Sequence, residues 1–340
     1  MRLYAGGRVL VAHGRILRLS PAGPAALRAL LAGTATPAQR RLGDRLLAAG
    51  FAHPRPSPKA IDATTIIPVR DRPAELTRCL AATRGPVIVV DDGSSPPVVA
   101  PRVVRRARSG GPAAARNVGL EHVASEFVAF LDSDCVPPAH WIERLGGHFD
   151  DPRVVAVAPR IRALNARRSP LDMGPHPGEV GVTVSYVPAA ALLVRRTALP
   201  EAPFDPGLRY GEDVDLIWRL LDAGHRVRYD PDVVVRHEER DTIRRRFLYG
   251  TSAAPLQRRH PKRLTHVRRP PSPLATANLA RLLRAKGVPP ALAPLWIAHS
   301  YVATVRALTR LVGPYGAGVV YGQIRGKIRG LPTIEGPSIP

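Results

Sequence analysis

The sequence predicts an α/β protein, a mostly parallel sheet with helices on both faces, preceded by a small α+β unit and followed by a basic, helical tail. Two observations predict the sheet. Short β-branched runs recur between residues 64 and 187, separated by stretches of helical apolar spacing, the pattern of strands joined by helical crossovers. Carboxylates stand directly after three of these runs, at Asp71, Asp91-Asp92 and Asp132-Ser-Asp134. In open parallel sheets ligands bind beyond the carboxyl ends of the strands, so these acids mark the edge where chemistry belongs.

Taken in order, residues 1–52 read as short strands around Gly6-Gly7 and His13-Gly14, then helical stretches over Pro24–Leu31 and Gln39–Ala49. His53-Pro-Arg-Pro-Ser-Pro-Lys59 is a stiff, extended linker, because proline biases the residue before it away from the helix, and residues 53–60 form a domain boundary. The catalytic domain spans 61–240, with strands expected at Thr65–Val69, Val87–Val90, Val103–Val104, Phe127–Leu131, Val154–Ala158 and Val182–Val187. Leu216, Ile217, Leu220 and Leu221 share one face of a helix that starts at Gly211-Glu-Asp213. Residues 241–340 form the basic tail, in which Ile243–Tyr249 is an amphipathic stretch. Gly287–Val305 is uncharged over nearly a bilayer thickness, but Pro289, Pro290, Pro294 and His299 argue for a core or membrane-surface helix over a spanning one.

The formal charge is +23, from 50 Lys+Arg against 27 Asp+Glu. Such a balance first suggests nucleic acid. Its distribution removes that reading: residues 1–60 carry +9, residues 61–240 carry −1 and residues 241–340 carry +15. The excess lies in the flanks, where it suits an anionic membrane surface. Aromatics at 5% provide no stacking platform for bases, so no nucleic-acid partner is expected. With 45% hydrophobic residues the chain is not disordered as a whole. Cys79 and Cys135 lack disulfide-framework or metal spacing, which fits a reducing compartment. Arg2 and Arg8 without a following apolar run predict no signal peptide, and the expected location is the cytoplasm, peripheral at the cytoplasmic face of the membrane.

Asp132-Ser-Asp134 follows the apolar run ending in Phe130-Leu131, so one loop can aim two carboxylates at one hard cation. Gly110-Gly-Pro-Ala-Ala-Ala-Arg116 is a glycine-rich start to an Ala-rich helix. It suits an anion, held by the Arg116 fork and the helix-end amides. Glu212 and Asp213 stand in a helix's first turn, where the dipole favours acids in any case. His237 closes the apolar run Val233–Val235 and precedes Glu238-Glu239.

Ile66-Ile-Pro-Val-Arg-Asp71, Val89-Val-Asp-Asp-Gly-Ser94, Gly111-Pro-Ala-Ala-Ala-Arg-Asn117, Phe130-Leu-Asp-Ser-Asp134 and Gly211-Glu-Asp213 together resemble the ordered signature of family 2 inverting glycosyltransferases of the GT-A fold. Within that family the wording is most similar to the enzymes of the mycofactocin pathway, through Val184-Ser-Tyr-Val-Pro188, Gly211-Glu-Asp-Val-Asp-Leu216 and Tyr249-Gly-Thr-Ser-Ala-Ala-Pro255 with His260-Pro261. The resemblance implies a UDP-sugar donor, UDP-glucose first, and a premycofactocin-like peptide-derived acceptor. Pro68, Val69, Arg70 and Asp71, with Asp91 or Asp92, would line the uridine pocket. Arg116 would support the nucleotide, Asp132 would approach the ribose or sugar, and Asp134 with His237 would hold Mg²⁺ or Mn²⁺. Asp213 would be the catalytic base, with Glu212 and Trp218 on the acceptor side.

Between Ile161 and Val182 the chain is shorter than those enzymes and rich in Pro and Gly, and this segment would face the acceptor. The N-terminal unit resembles small strand-plus-helix peptide-recognition domains. Two other readings stand beside this one: a family 2 transferase acting on a lipid-phosphate, polysaccharide or other glycan, and a non-catalytic peptide-binding protein with a degenerate core. Intact Asp134, Asp213 and His237 speak against the last.

Overall fold

The computed structural model describes residues 2–12, 15–165, 169–239, 243–261 and 263. The expected tail beyond residue 263, with Gly287–Val305, lies outside them. The chain divides into two compact units, Met1–Pro206 with Leu216–Glu239, and Gly207–Asp215 with Arg240–Pro340.

The first unit opens with a three-stranded antiparallel sheet, β1 (Arg2–Tyr4), β2 (Val9–Ala12) and β3 (Arg15–Arg18), turned at Gly6 and Gly7. Two helices follow, α1 (Gly23–Leu31) and α2 (Pro37–Ala48). Thr36 caps α2, accepting from the Gln39 amide while Gln39 returns the bond to Thr36, which satisfies two otherwise orphaned donors. Leu10, Leu19, Leu27, Leu46 and Phe51 form this segment's own core.

After the linker the chain runs β4 (Ala63–Val69), α3 (Pro73–Ala82), β5 (Val87–Asp91), β6 (Val103–Arg105), α4 (Gly111–Leu120), β7 (Phe127–Leu131), β8 (Cys135–Val136), α5 (Trp141–Gly146) and β9 (Val154–Ala163). It continues through β10 (Gly178–Glu179), β11 (Ala191–Arg195), α6 (Glu212–Asp222) and β12 (Arg226–His237). One sheet has the order β10-β12-β9-β11-β7-β4-β5-β6, with β8 paired to β12. β7, β4, β5 and β6 are parallel neighbours, as are β9 and β12, and antiparallel β11 joins the two groups. The sheet is therefore mixed around a parallel centre. β4 and β7 are buried at every position; β7 is an unbroken apolar run, while β4 also buries Thr64, which accepts from Ser125 Oγ at 2.9 Å, and Thr65. From β4 the chain winds outward through β5 and β6, then returns to β7 on the other side, so the switch point lies between β4 and β7.

One expected strand is corrected. Val182–Val187 forms turns with a single bridge, Val180 to Val184, because the Val182 and Thr183 amides close back onto the Glu179 carbonyl. Gly50 packs against this turn: a Cβ there would stand 2.5 Å from Thr183 Cγ2. The linker is laid against α5 and the turn after it, where a Cβ on Gly147 would come within 2.1 Å of the Ser57 carbonyl oxygen. Cys79 and Cys135 are free and buried, and burial pushes the Cys79 thiol up to about 12, so neither behaves as a reactive group.

Asp151 ties strand ends together, accepting from Arg153 at 2.9 Å, Arg226 at 3.2 Å and Arg228 at 3.3 Å. The Arg153 hydrogen bond leads in lowering its carboxyl from 3.8 to about 2. A depressed carboxyl contributes stability above its unfolded value and loses it as pH falls through the folded one. Thermal melts between pH 4.5 and 2 are expected to show a steeper loss of stability for the parent chain than for Asp151→Asn.

In the second unit, α7 (Ile243–Thr251) and α8 (Ala253–Arg259) pack beside Gly207–Asp215. No helix among the described residues is long and apolar enough to cross a membrane.

Candidate functional site

The carboxyl ends of β4, β5 and β7 carry the acids the sequence placed there. β4 leaves its ladder with β7 at Ile66, so Pro68, which has no N–H to give, falls where that pairing has ended. Asp71 sits at φ +52° and clasps the next loop, its amide donating to Ser94 Oγ at 3.0 Å and its carboxylate accepting from the Ser95 amide at 2.8 Å. Arg70 reaches Ser109 Oγ at 3.0 Å and Asp71 at 3.3 Å and is largely exposed.

The two aspartates that end β5 differ. Asp91 is fully buried and accepts from the Ser94 amide at 2.8 Å, the Val98 amide at 3.3 Å and Arg105. Burial opposes its charge, but the Ser94 bonds, the Val98 amide and Arg105 together hold its carboxyl below the usual range. It shapes the loop. Asp92 is bound by Arg106, by Ser109 Oγ at 2.7 Å and by the amides of Gly110 and Gly111, the latter at 2.8 Å. The expectation that the glycine-rich helix end would offer its amides to a ligand is corrected here. A carboxylate of the chain itself takes the amides of Gly110 and Gly111, at the positive end of the α4 dipole.

Arg116 is likewise internal, 3% exposed, donating to Asp132 Oδ1 at 2.7 Å with its guanidinium 5.2 Å from the Phe204 ring centroid. Asn117 fixes Phe204 through both backbone groups, at 2.6 and 3.1 Å. Arg116 therefore orients Asp132, whose side chain remains 29% exposed beyond β7.

Asp134 follows, 3% exposed. The β8 and β12 ladder pairs Cys135 with His237 and Val136 with Arg236, which brings a histidine from far along the chain to the same point. His237 Nε2 lies 3.4 Å from Asp134 Oδ1, and Arg72 lies 3.3 Å from Oδ2. His237 Nδ1 is 2.9 Å from Glu239 Oε1, and a carboxylate accepts only, so Nδ1 carries a proton; Nε2 faces the Asp134 carboxylate, toward which it carries a second proton when the ring is charged and offers a lone pair only when the ring is neutral. Burial, then the charge of Asp132, pushes the Asp134 carboxyl up. For His237 burial opposes protonation, yet the Glu239 bond and the Asp134 charge win and the imidazole is raised.

Among the described residues no three His, Cys, Asp or Glu side chains form a closed metal cage. Asp134 and His237 bring together an oxygen and a nitrogen donor of the kinds a divalent cation takes, both buried and with Arg72 beside the carboxylate, and Glu239 holds Nδ1 so that Nε2 is the atom left to a ligand.

Asp213 belongs to the second unit, in the first turn of α6, with Oδ1 accepting from the Val214 amide at 2.8 Å. Gly211 at φ +84° starts this turn, and a Cβ there would press on Leu256 and Ser252 at 3.0 and 3.1 Å. Buried Asp215 accepts from His260 Nε2 at 2.9 Å, and Tyr210 meets Tyr249 edge-on at 5.5 Å. The segment from Tyr249 to His260 is thus what holds the Asp213 turn. Glu212 is buried. Trp218 is 5% exposed and donates from its indole to the Ser185 carbonyl at 3.0 Å, so it anchors the 182–187 turn segment.

Sequence reasoning gave no role to Arg72, Arg105, Arg106 or Glu239. Each is a charged residue in a loop or strand end with no periodic signal, found only through its partner. Position before or after a motif was the available clue for Arg72 and Glu239 alone.

Residues 64–177 match the family model described as glycosyl transferase family 2. The curated pre-mycofactocin glycosyltransferase of Mycobacterium tuberculosis is 44% identical over 292 residues, covering 77% of this chain and 62% of the relative. The chain thus spans about three fifths of the length of that relative. Glycosyltransferase AglE of Haloferax volcanii is 26% identical over 224 residues, covering 55% of this chain and 71% of that protein. Among solved structures, the mannosyltransferase PcManGT of Pyrobaculum calidifontis, in complex with GDP-Man and Mn²⁺, aligns over 90% of this chain and 99% of its own with TM-score 0.55 at 19% identity. The architecture is the GT-A fold.

Proposed function

We propose that this protein is a metal-dependent inverting glycosyltransferase that moves a hexose, glucose first, from a UDP-sugar to a premycofactocin-like peptide-derived acceptor, a reading supported by the match of residues 64–177 to the glycosyl transferase family 2 model and by the GT-A fold. The observation that supports the transferase reading is the buried Asp134 and His237 pair beside part-exposed Asp132 at the carboxyl edge of the sheet. The acceptor rests on the 44% identity to the pre-mycofactocin enzyme.

Pro68, Val69, Arg70 and Asp71 line the nucleotide side, with Asp91 and Asp92 fixing the loop that faces them. Arg116 acts through Asp132, which meets the ribose or sugar. Asp134 and His237 would hold Mg²⁺ or Mn²⁺, which would supply positive charge to offset that developing on the departing diphosphate, usually the dominant electrostatic task in such reactions. Asp213 accepts the proton of the acceptor hydroxyl while its oxygen attacks the anomeric carbon from the face opposite the leaving group. One displacement inverts the centre. Glu212 and Trp218 support the acceptor side.

A mass-spectrometric screen of UDP-glucose, UDP-N-acetylglucosamine and GDP-mannose against premycofactocin tests the reading. A single added hexose from UDP-glucose supports it, whereas transfer only to lipid-phosphate or glycan acceptors overturns the acceptor assignment. We further propose that residues 1–52 bind the peptide part of the acceptor, since Gly50 packs on Val182 and Thr183, at the end of the 161–182 stretch expected to face the acceptor. Deleting residues 1–50 is expected to raise the acceptor KM at least about tenfold, on the order of 1.4 kcal/mol, with donor KM unchanged. Equal losses in both would leave the segment a packing role.

A further inference from the structure

Most of the donors expected on the nucleotide side are already spent within the protein. Arg116 donates to Asp132 at 2.7 Å, and the amides of Gly110 and Gly111 go to Asp92. Arg70 is engaged by Ser109 Oγ and by Asp71. A nucleoside diphosphate brings several negative charges to this edge, and it needs charged donors that the chain has left open.

Arg72 has them. Asp71, at φ +52°, turns the chain at the end of β4, and Arg72 follows as the residue before the first turn of α3. A cation stands there against the helix dipole, whose positive end favours acids. Among the described residues it is held through Nη1, which lies 3.3 Å from Asp134 Oδ2 and 3.6 Å from Glu75 Oε1. Nε and Nη2 bond to no described residue. Neither is a sealed, unpartnered atom, and the side chain is 20% exposed, so both are open to solvent. In a guanidinium, Nε–H and one Nη2–H point the same way and form the fork that fits two oxygens of a phosphate. Here that fork is unused while the remaining nitrogen rests on the buried aspartate of the site.

We infer that Arg72 is a donor-binding residue: its Nε–H and Nη2–H donate to phosphate oxygens of the nucleotide-sugar diphosphate while Nη1 stays on Asp134. The inference rests on the transferase reading above and adds a residue to it. Arg72 then serves the reaction as well as binding. The diphosphate gains negative charge as the sugar leaves, and a guanidinium already fixed against Asp134 meets that charge without reorganising.

The test compares UDP with uridine, which has the same base and ribose and no diphosphate, by calorimetric titration of the full chain, with GDP and guanosine as a second pair. Arg72→Gln is expected to lose at least about tenfold in UDP affinity with uridine affinity unchanged, and Arg72→Lys, which keeps the charge without the fork, to recover only part of that loss. The difference between parent and Arg72→Gln is expected to persist in EDTA, because the fork acts on phosphate directly. A difference seen only with added Mn²⁺ makes Arg72 a support of Asp134 and overturns the inference. Equal weakening of UDP and uridine, or parental UDP affinity in both variants, also overturns it and leaves the transferase reading standing. A parent chain that binds neither UDP nor GDP overturns that reading and the inference together. If Arg72→Gln does not fold, Arg72→Lys carries the same comparison.

Discussion

Asp213→Asn is expected to lower sugar transfer by about 10²–10⁴-fold, the usual contribution of a positioned general base. The substitution keeps size and shape, and an amide oxygen can still accept from the Val214 amide as Oδ1 does. What it removes is the capacity to take a proton. Donor binding and the unfolding midpoint should therefore stay near those of the parent, with the loss in kcat. His260→Gln provides a second arm. His260 bonds Asp215 in the same turn and carries no proposed chemistry, so its loss should lower kcat less and leave donor KM unchanged. Near-parental transfer by Asp213→Asn would remove the base from the mechanism.

Excess EDTA is expected to abolish donor turnover, and Asp134→Asn to leave activity that added Mn²⁺ does not restore. Asp134 is buried with one oxygen toward His237 and the other toward Arg72, so replacing it removes the anionic half of the pair. Glu239→Gln separates ligand from support. It weakens the bond that fixes the His237 tautomer while leaving both proposed ligands in place, so metal affinity should fall by about 10–100-fold and activity return at higher metal concentration. Full activity in metal-free buffer would end the metal role of Asp134 and His237 together.

Much of the framework was legible because it is local. Phe127–Leu131 appears with the expected bounds, and Thr65–Val69 and Val87–Val90 fall within β4 and β5, since buried central strands are mainly apolar. Val182–Val187 alternates valine with Thr183, Ser185 and Tyr186 and forms a turn, its Val182 and Thr183 amides bonded to the Glu179 carbonyl in place of a neighbouring strand. The charge distribution also told against nucleic acid without any fold. At the site, Asp132, Asp134 and Asp213 stood out by position after a strand or in a helix's first turn.

The sequence by itself determined the central strands, the edge to which the carboxylates go and the residue types available there, because burial patterns and strand ends are properties of short segments; the order of the strands in the sheet came from the fold. Only the tertiary structure decided how each acid is used. Asp91 and Asp92 look alike in the chain, yet one is sealed by Arg105 and the other holds the amides of Gly110 and Gly111. Arg116 turned from a ligand-facing fork into the support of Asp132. His237 reaches Asp134 through a two-residue ladder between strands about a hundred positions apart. A carboxylate or guanidinium serves a ligand with whatever bonding capacity its neighbours leave, and those neighbours are chosen by strand register, which no local pattern records.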